Sequence, residues 1–160
     1  MIPATIADAV KRYGPIDFAS KVWPAQAHFI TMFQVPPGQF PNWTVMDTGI
    51  PVHHIACNVD IQPLLSAALD SLYSRNLGNL LITFDGCLNI RPIRGTVGQP
   101  SAHSYGLALD LNAASNPLSA TSGGLYLHPE FVKCWTDAGF FWGGNFSGRK
   151  DPMHFSALNW

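Results

Sequence analysis

The most regular hydrophobic pattern lies near the middle of the chain. Leu64, Leu65, Ala68, Leu69, Leu72 and Tyr73 recur at helical spacing and predict a helix over residues 61–76. Asp60 suits its N-cap, and Pro63 is tolerated in its first turn. Residues 3–13 predict a short helix, with Pro3 in its first turn, Ile6, Val10 and Tyr13 on one face, and Gly14 as its stop. A third helix is expected over residues 129–138, opened by Pro129-Glu130 and closed by Gly139. Strands are expected at 52–57 and 80–84. Residues 106–111 alternate with period two, which turns Leu107, Leu109 and Leu111 to the core and Gly106, Ala108 and Asp110 the other way. That second face is small except for its carboxylate. Residues 15–44 follow no period and are rich in proline and aromatics, so they read as an irregular packed segment or a docking arm.

A chain of 160 residues suits one domain with a real core. Hydrophobic residues make up 47% and charged residues 12%, which argues against disorder. The net charge of -1 and the lack of a basic run argue against a sequence-independent grip on nucleic acid. No apolar run approaches the roughly 20 residues of a membrane span. The N-terminus has no basic-then-apolar signal pattern, so the expectation is synthesis in the cytoplasm and any action outside after export or release. Cys57, Cys87 and Cys134 are odd in number and widely spaced. They read as buried free thiols rather than a disulfide framework or a thiolate metal site.

Candidate chemistry concentrates in two short motifs. One runs from Ser101 to Asp110 and contains His103, and the other is Asp151-Pro152-Met153-His154-Phe155. Two imidazoles and a carboxylate can hold a catalytic zinc and leave one coordination position open for water. Asp151 stands where a general base for that water is needed. Taken singly, each motif has a plainer reading, a hydrogen-bonded histidine or a surface Asp-Pro turn. Asp110 resists it, because an unpaired carboxylate on an apolar strand is costly to bury and a cation relieves that cost. His28, His53, His54 and His128 are expected to be structural or surface residues. His53 and His54, adjacent on a strand, point to opposite faces and cannot readily share a metal.

The pattern Ser-x-His-x-x-Gly-x-Ala-x-Asp, followed about forty residues later by Asp-x-x-His-Phe, resembles the M15 peptidases of peptidoglycan. These include D-alanyl-D-alanine carboxypeptidases and dipeptidases and the L-alanyl-D-glutamate endopeptidases of phage endolysins. The resemblance extends over roughly residues 50–156. It implies that His103, Asp110 and His154 bind zinc and that Asp151 is the catalytic carboxylate. It also implies an arginine on the strand before the first motif that polarises the scissile carbonyl. Arg91 and Arg94 compete for that role, and Arg91 is nearer the strand. Ser101 matches a serine that contacts substrate, and Tyr105 and Arg94 are expected to contact it too.

The fold implied is α+β, a small antiparallel sheet with helices packed on one side and a zinc site like that of the Hedgehog and D-Ala-D-Ala peptidase domains on the open side. Residues 1–49 are expected to form a helix and an aromatic, proline-rich segment packed on a peptidase domain at 50–160. Aspartate at 151 resembles the endolysin branch, where the dipeptidase branch usually has glutamate. The expected activity is therefore zinc-dependent L-alanyl-D-glutamate endopeptidase on peptidoglycan stem peptides, in a phage lysis system with a holin or a virion as its setting. The alternatives are a D-alanyl-D-alanine carboxypeptidase and a non-catalytic zinc-binding or virion structural protein.

Overall fold

The computed structural model describes residues 1–159. Thr5 opens the first helix with a capping box: its hydroxyl accepts from the Asp8 N–H at 3.2 Å, and the Asp8 carboxylate accepts from the Thr5 N–H at 3.2 Å. Helix α1 therefore runs Ile6–Tyr13, and Pro3 lies ahead of it rather than in its first turn. Residues 15–44 are packed, as expected, but not wholly irregular. They contain α2 (Gln26–Phe29), β1 (Ile30–Gln34) and the start of β2 (Thr44–Val45). The chain continues with β3 (His54–Asn58), α3 (Gln62–Ser74), β4 (Thr83–Gly86), β5 (Ala108–Leu111), α4 (Pro129–Asp137), β6 (Phe141–Trp142) and β7 (His154–Ser156).

The fold is α+β, with two sheets where one antiparallel sheet was expected. β1 and β3 form an antiparallel pair in unbroken register from Ile30↔Asn58 to Gln34↔His54. The other five strands form a sheet in the order β2-β4-β5-β7-β6, in which only the β2–β4 pair is parallel.

The segment before residue 50 is no free arm. Trp23, Val35, Phe40 and Trp43 are buried, and the Trp23 indole donates to the Ser104 carbonyl at 3.1 Å. At the other end, the Asn159 N–H donates to the Ala4 carbonyl at 2.9 Å. Leu158 is buried, as expected of a packed tail, and Trp160 lies outside the described residues.

Asn58, not Asp60, caps the entry to α3. Its side chain accepts from the Asp60 N–H at 3.0 Å and donates to the Tyr105 carbonyl at 3.1 Å. Asp60 instead holds Arg12 at 2.8 Å and the Tyr13 hydroxyl at 2.9 Å, which fixes α1 to the start of α3. Within α3, Leu65, Ala68, Leu69 and Leu72 are buried, while Tyr73 faces outward.

Strand β5 departs from a one-sided pattern. Leu107, Leu109 and Leu111 are buried as expected, but so is Ala108. Gly106 lies outside the strand in a left-handed turn at φ +64°, and a Cβ there would come within 2.9 Å of the Asn58 nitrogen. Free space on that face is therefore confined to Asp110. Beneath it, Phe131 and Trp135 of α4 pack on Phe155 of β7, with the Trp135 and Phe155 rings 5.3 Å apart. The strand that presents His154 thus rests on a rigid aromatic layer.

Candidate metal and active site

Each site residue is placed by a local device. Ser101 accepts from the His103 N–H and opens a single 3₁₀ turn, Ala102–Tyr105, which Gly106 ends. The turn is tied to the preceding loop: the Asn89 N–H donates to the His103 carbonyl at 3.0 Å, and the Ser104 hydroxyl donates to the Arg91 carbonyl at 2.7 Å. Asp110 and His154 are direct partners in the β5–β7 register, so their side chains share a face. On the other side of Asp110 stands Gly86, so β4 adds no side chain there.

The three side chains converge. His103 Nε2 lies 3.1 Å from His154 Nδ1 and 3.2 Å from Asp110 Oδ1, and His154 Nδ1 lies 3.0 Å from Asp110 Oδ1. They are the one group of metal-ligating side chains among the described residues. His103 and His154 are buried and Asp110 nearly so. Tetrahedral ligands about 2.0–2.2 Å from zinc are separated by roughly 3.4 Å, close to this triangle.

The hydrogen bonds of His103 supply an independent test of fit. Its Nδ1 sits 2.9 Å from the Cys87 carbonyl, which can only accept, so Nδ1 donates there and Nε2 is turned to the other two side chains. Nε2 faces Asp110 Oδ1 at 3.2 Å, where a cation between ring nitrogen and carboxylate oxygen, a proton or a metal ion, suits both. Two imidazoles and a carboxylate aimed at one point fit a divalent metal. For Asp110, burial pushes the carboxyl pKa up, but the two imidazoles outweigh it and hold the group well below the usual carboxylate range.

Asp151 lines the same cleft without being one of the converging three. Its Oδ1 is buried with no hydrogen-bond partner among the described residues. Burial raises its pKa above the ordinary value, and the Asp110 charge adds to this against the opposing effect of His154. Its backbone is fixed by N–H donation to the Gly143 carbonyl at 3.0 Å and by accepting from the His154 N–H at 3.0 Å. The Trp142 indole holds Pro152 through its carbonyl at 2.8 Å.

The cleft encloses about 240 Å³. Of the other expected site residues, Ser101, Arg91 and Arg94 line it. Arg91 lies not on β4 but in the loop after it, where a Pro92–Pro100 bridge folds the chain back. Tyr105 is corrected: it is fully buried away from the cleft, and its hydroxyl donates to the Gly14 carbonyl at 2.7 Å, between the rings of Tyr13 and Trp23. Arg149 and Phe146 line the cleft without having been expected there. The signal for Arg149 was its position two residues before Asp151. The three cysteines are buried and unpaired, as expected.

A family model described as D-alanyl-D-alanine carboxypeptidase, of peptidase family M15, matches residues 94–157. Over this stretch the chain is similar to the M15 peptidases. The M15 match takes in Ser101, His103, Asp110, Arg149, Asp151 and His154, and it begins after Arg91. No curated protein and no solved structure matches the chain.

Proposed function

We propose that the protein is a zinc-dependent peptidase that hydrolyses amide bonds of peptidoglycan stem peptides, with the L-alanyl-D-glutamate bond as its target. The observation that carries this reading is the convergence of His103, Asp110 and His154 beside Asp151 in one cleft. His103, Asp110 and His154 would hold the metal. When bound, zinc supplies Lewis acidity toward the scissile carbonyl and the attacking water.

The remaining chemistry belongs to the chain. The buried, unpartnered Oδ1 of Asp151 is free to take the proton of the attacking water and to return it to the leaving amine. Its raised pKa strengthens it as a base while leaving it able to release the proton again. Arg91 stabilises the oxyanion as charge develops, since its guanidinium makes only a long 3.5 Å contact with the neighbouring Pro92 carbonyl. Ser101 orients the substrate at the rim beside His103.

Aspartate at position 151 supports the endopeptidase of a phage lysis system, since it resembles the endolysin branch. In that setting the protein acts on the wall after release through a membrane hole made by another protein, or as part of a virion. A second reading, D-alanyl-D-alanine carboxypeptidase, is favoured by the description of the matching family. Mass spectrometry of digested peptidoglycan separates the two. A newly exposed D-glutamate amine is expected, and release of D-alanine alone would replace the first reading with the second.

A further inference from the structure

The cationic side chains of this protein are distributed unevenly. Of its five arginines, the two outside the cleft are spent on ion pairs, Arg12 with Asp60 and Arg75 with Glu130. The other three, Arg91, Arg94 and Arg149, all line the cleft, and none is within ion-pair distance of a carboxylate among the described residues, although the Arg149 charge reaches Asp151. The acidic residues lining it are Asp110 and Asp151, whose charge a divalent cation would balance. Three guanidiniums are then left in one small cleft of a chain whose net charge is -1. One suffices for a developing oxyanion. The others are available to a negative charge on a substrate.

Arg149 is the best placed to read it. The two residues that follow are pinned: the Lys150 carbonyl accepts from the Ser119 N–H at 2.8 Å, and the Asp151 N–H donates to Gly143. Lys150 itself is turned away, its ammonium bonded to the Phe146 carbonyl. Arg149 is an exposed residue at the edge of the cleft, near enough to Asp151 for its charge to act on that carboxyl, the group proposed to protonate the leaving amine.

We infer that Arg149 is a specificity residue that holds a free carboxylate on the substrate residue supplying the leaving amine. This rests on the proposed peptidase activity but not on the choice of bond. A D-glutamate linked onward through its side chain and a terminal D-alanine both carry a free carboxylate on the carbon that bears the scissile nitrogen. A planar guanidinium matches that group in bidentate fashion.

The test uses the zinc-loaded full chain and two synthetic stem peptides that differ only in a carboxylate or a carboxamide on that carbon. The wild type should prefer the carboxylate by about 10–100-fold in kcat/KM, the scale of a charge-assisted hydrogen bond. Arg149→Gln should lose the preference mainly through KM, and Arg149→Lys should keep part of it. Binding of the carboxylate product to chelator-treated protein, measured by calorimetry, should weaken in Arg149→Gln and with added salt. Equal use of both peptides by the wild type, or an undiminished preference in Arg149→Gln, overturns the inference. If neither peptide is cut but the product still binds through Arg149, the inference stands and the peptidase reading fails.

Discussion

The backbones of Gly143 and Asp151 touch: the Asp151 N–H donates to the Gly143 carbonyl at 3.0 Å, and a Cβ on residue 143 would lie 2.3 Å from the Asp151 carbonyl oxygen. No side chain fits between them. Gly143→Ala should therefore displace Asp151 and strain the His154 N–H bond to the same carbonyl. The expected outcome is turnover reduced at least tenfold, since small misplacements of a reacting group are costly, with zinc content measured alongside to separate the two effects. Normal turnover in that variant would show that Asp151 tolerates movement and is not the base.

Asp151→Asn removes the proposed base and keeps the shape. Turnover should fall by roughly 10²–10⁴-fold, the usual worth of a general base, with zinc retained. Stability should move the other way. Because the folded-state pKa of Asp151 is raised, its ionisation costs stability as pH rises through that pKa, and the cost is absent in acid. Chelator-treated Asp151→Asn should thus melt higher than chelator-treated wild type at neutral pH. The difference should vanish below the ordinary carboxylate range. A lower melting temperature at neutral pH would contradict the burial argument.

Much of this site could be read from the chain because its parts are local. His103, Asp110, Asp151 and His154 sit in two short motifs, and the helical period of Leu65, Leu69 and Leu72 marks α3 directly. What escaped depends on distant partners. Ile30–Gln34 is a strand because His54–Asn58 lies beside it, and its own sequence, flanked by aromatics and prolines, carries no clean alternation. Asn58 displaces Asp60 as the cap because Asp60 is claimed by Arg12 and Tyr13 from α1. The small face of residues 106–108 is filled by contacts, not left open, since Gly106 abuts Asn58.

Tyr105 shows the same dependence on a remote contact. Its motif position suggests a substrate contact, but its hydroxyl ties the first histidine motif to Gly14. Tyr105→Phe should cost about 1 kcal/mol of stability, the usual net worth of a hydrogen bond, and leave kcat/KM unchanged. A marked loss of kcat with normal stability would return Tyr105 to the substrate side.

Arg91 and Arg94 should separate in kinetics. Arg91 is anchored through its backbone to Ser104 and Ser101, whereas Arg94 is exposed on a turn. Arg91→Ala should lower kcat by roughly 10²–10³-fold, the scale of one lost oxyanion donor, and Arg94→Ala should act more weakly. A larger kcat effect from Arg94→Ala would exchange the two roles.

The central claim is that this cleft hydrolyses peptide bonds of the wall with a zinc held by His103, Asp110 and His154. Release of free amino groups from purified peptidoglycan tests it most directly, measured for the protein as purified, after chelation, and after zinc is restored to one equivalent. Activity should be present, lost and recovered in that order, and His103→Ala should stay inactive in all three states. Undiminished release from the chelated protein, or full activity in His103→Ala, would contradict the account.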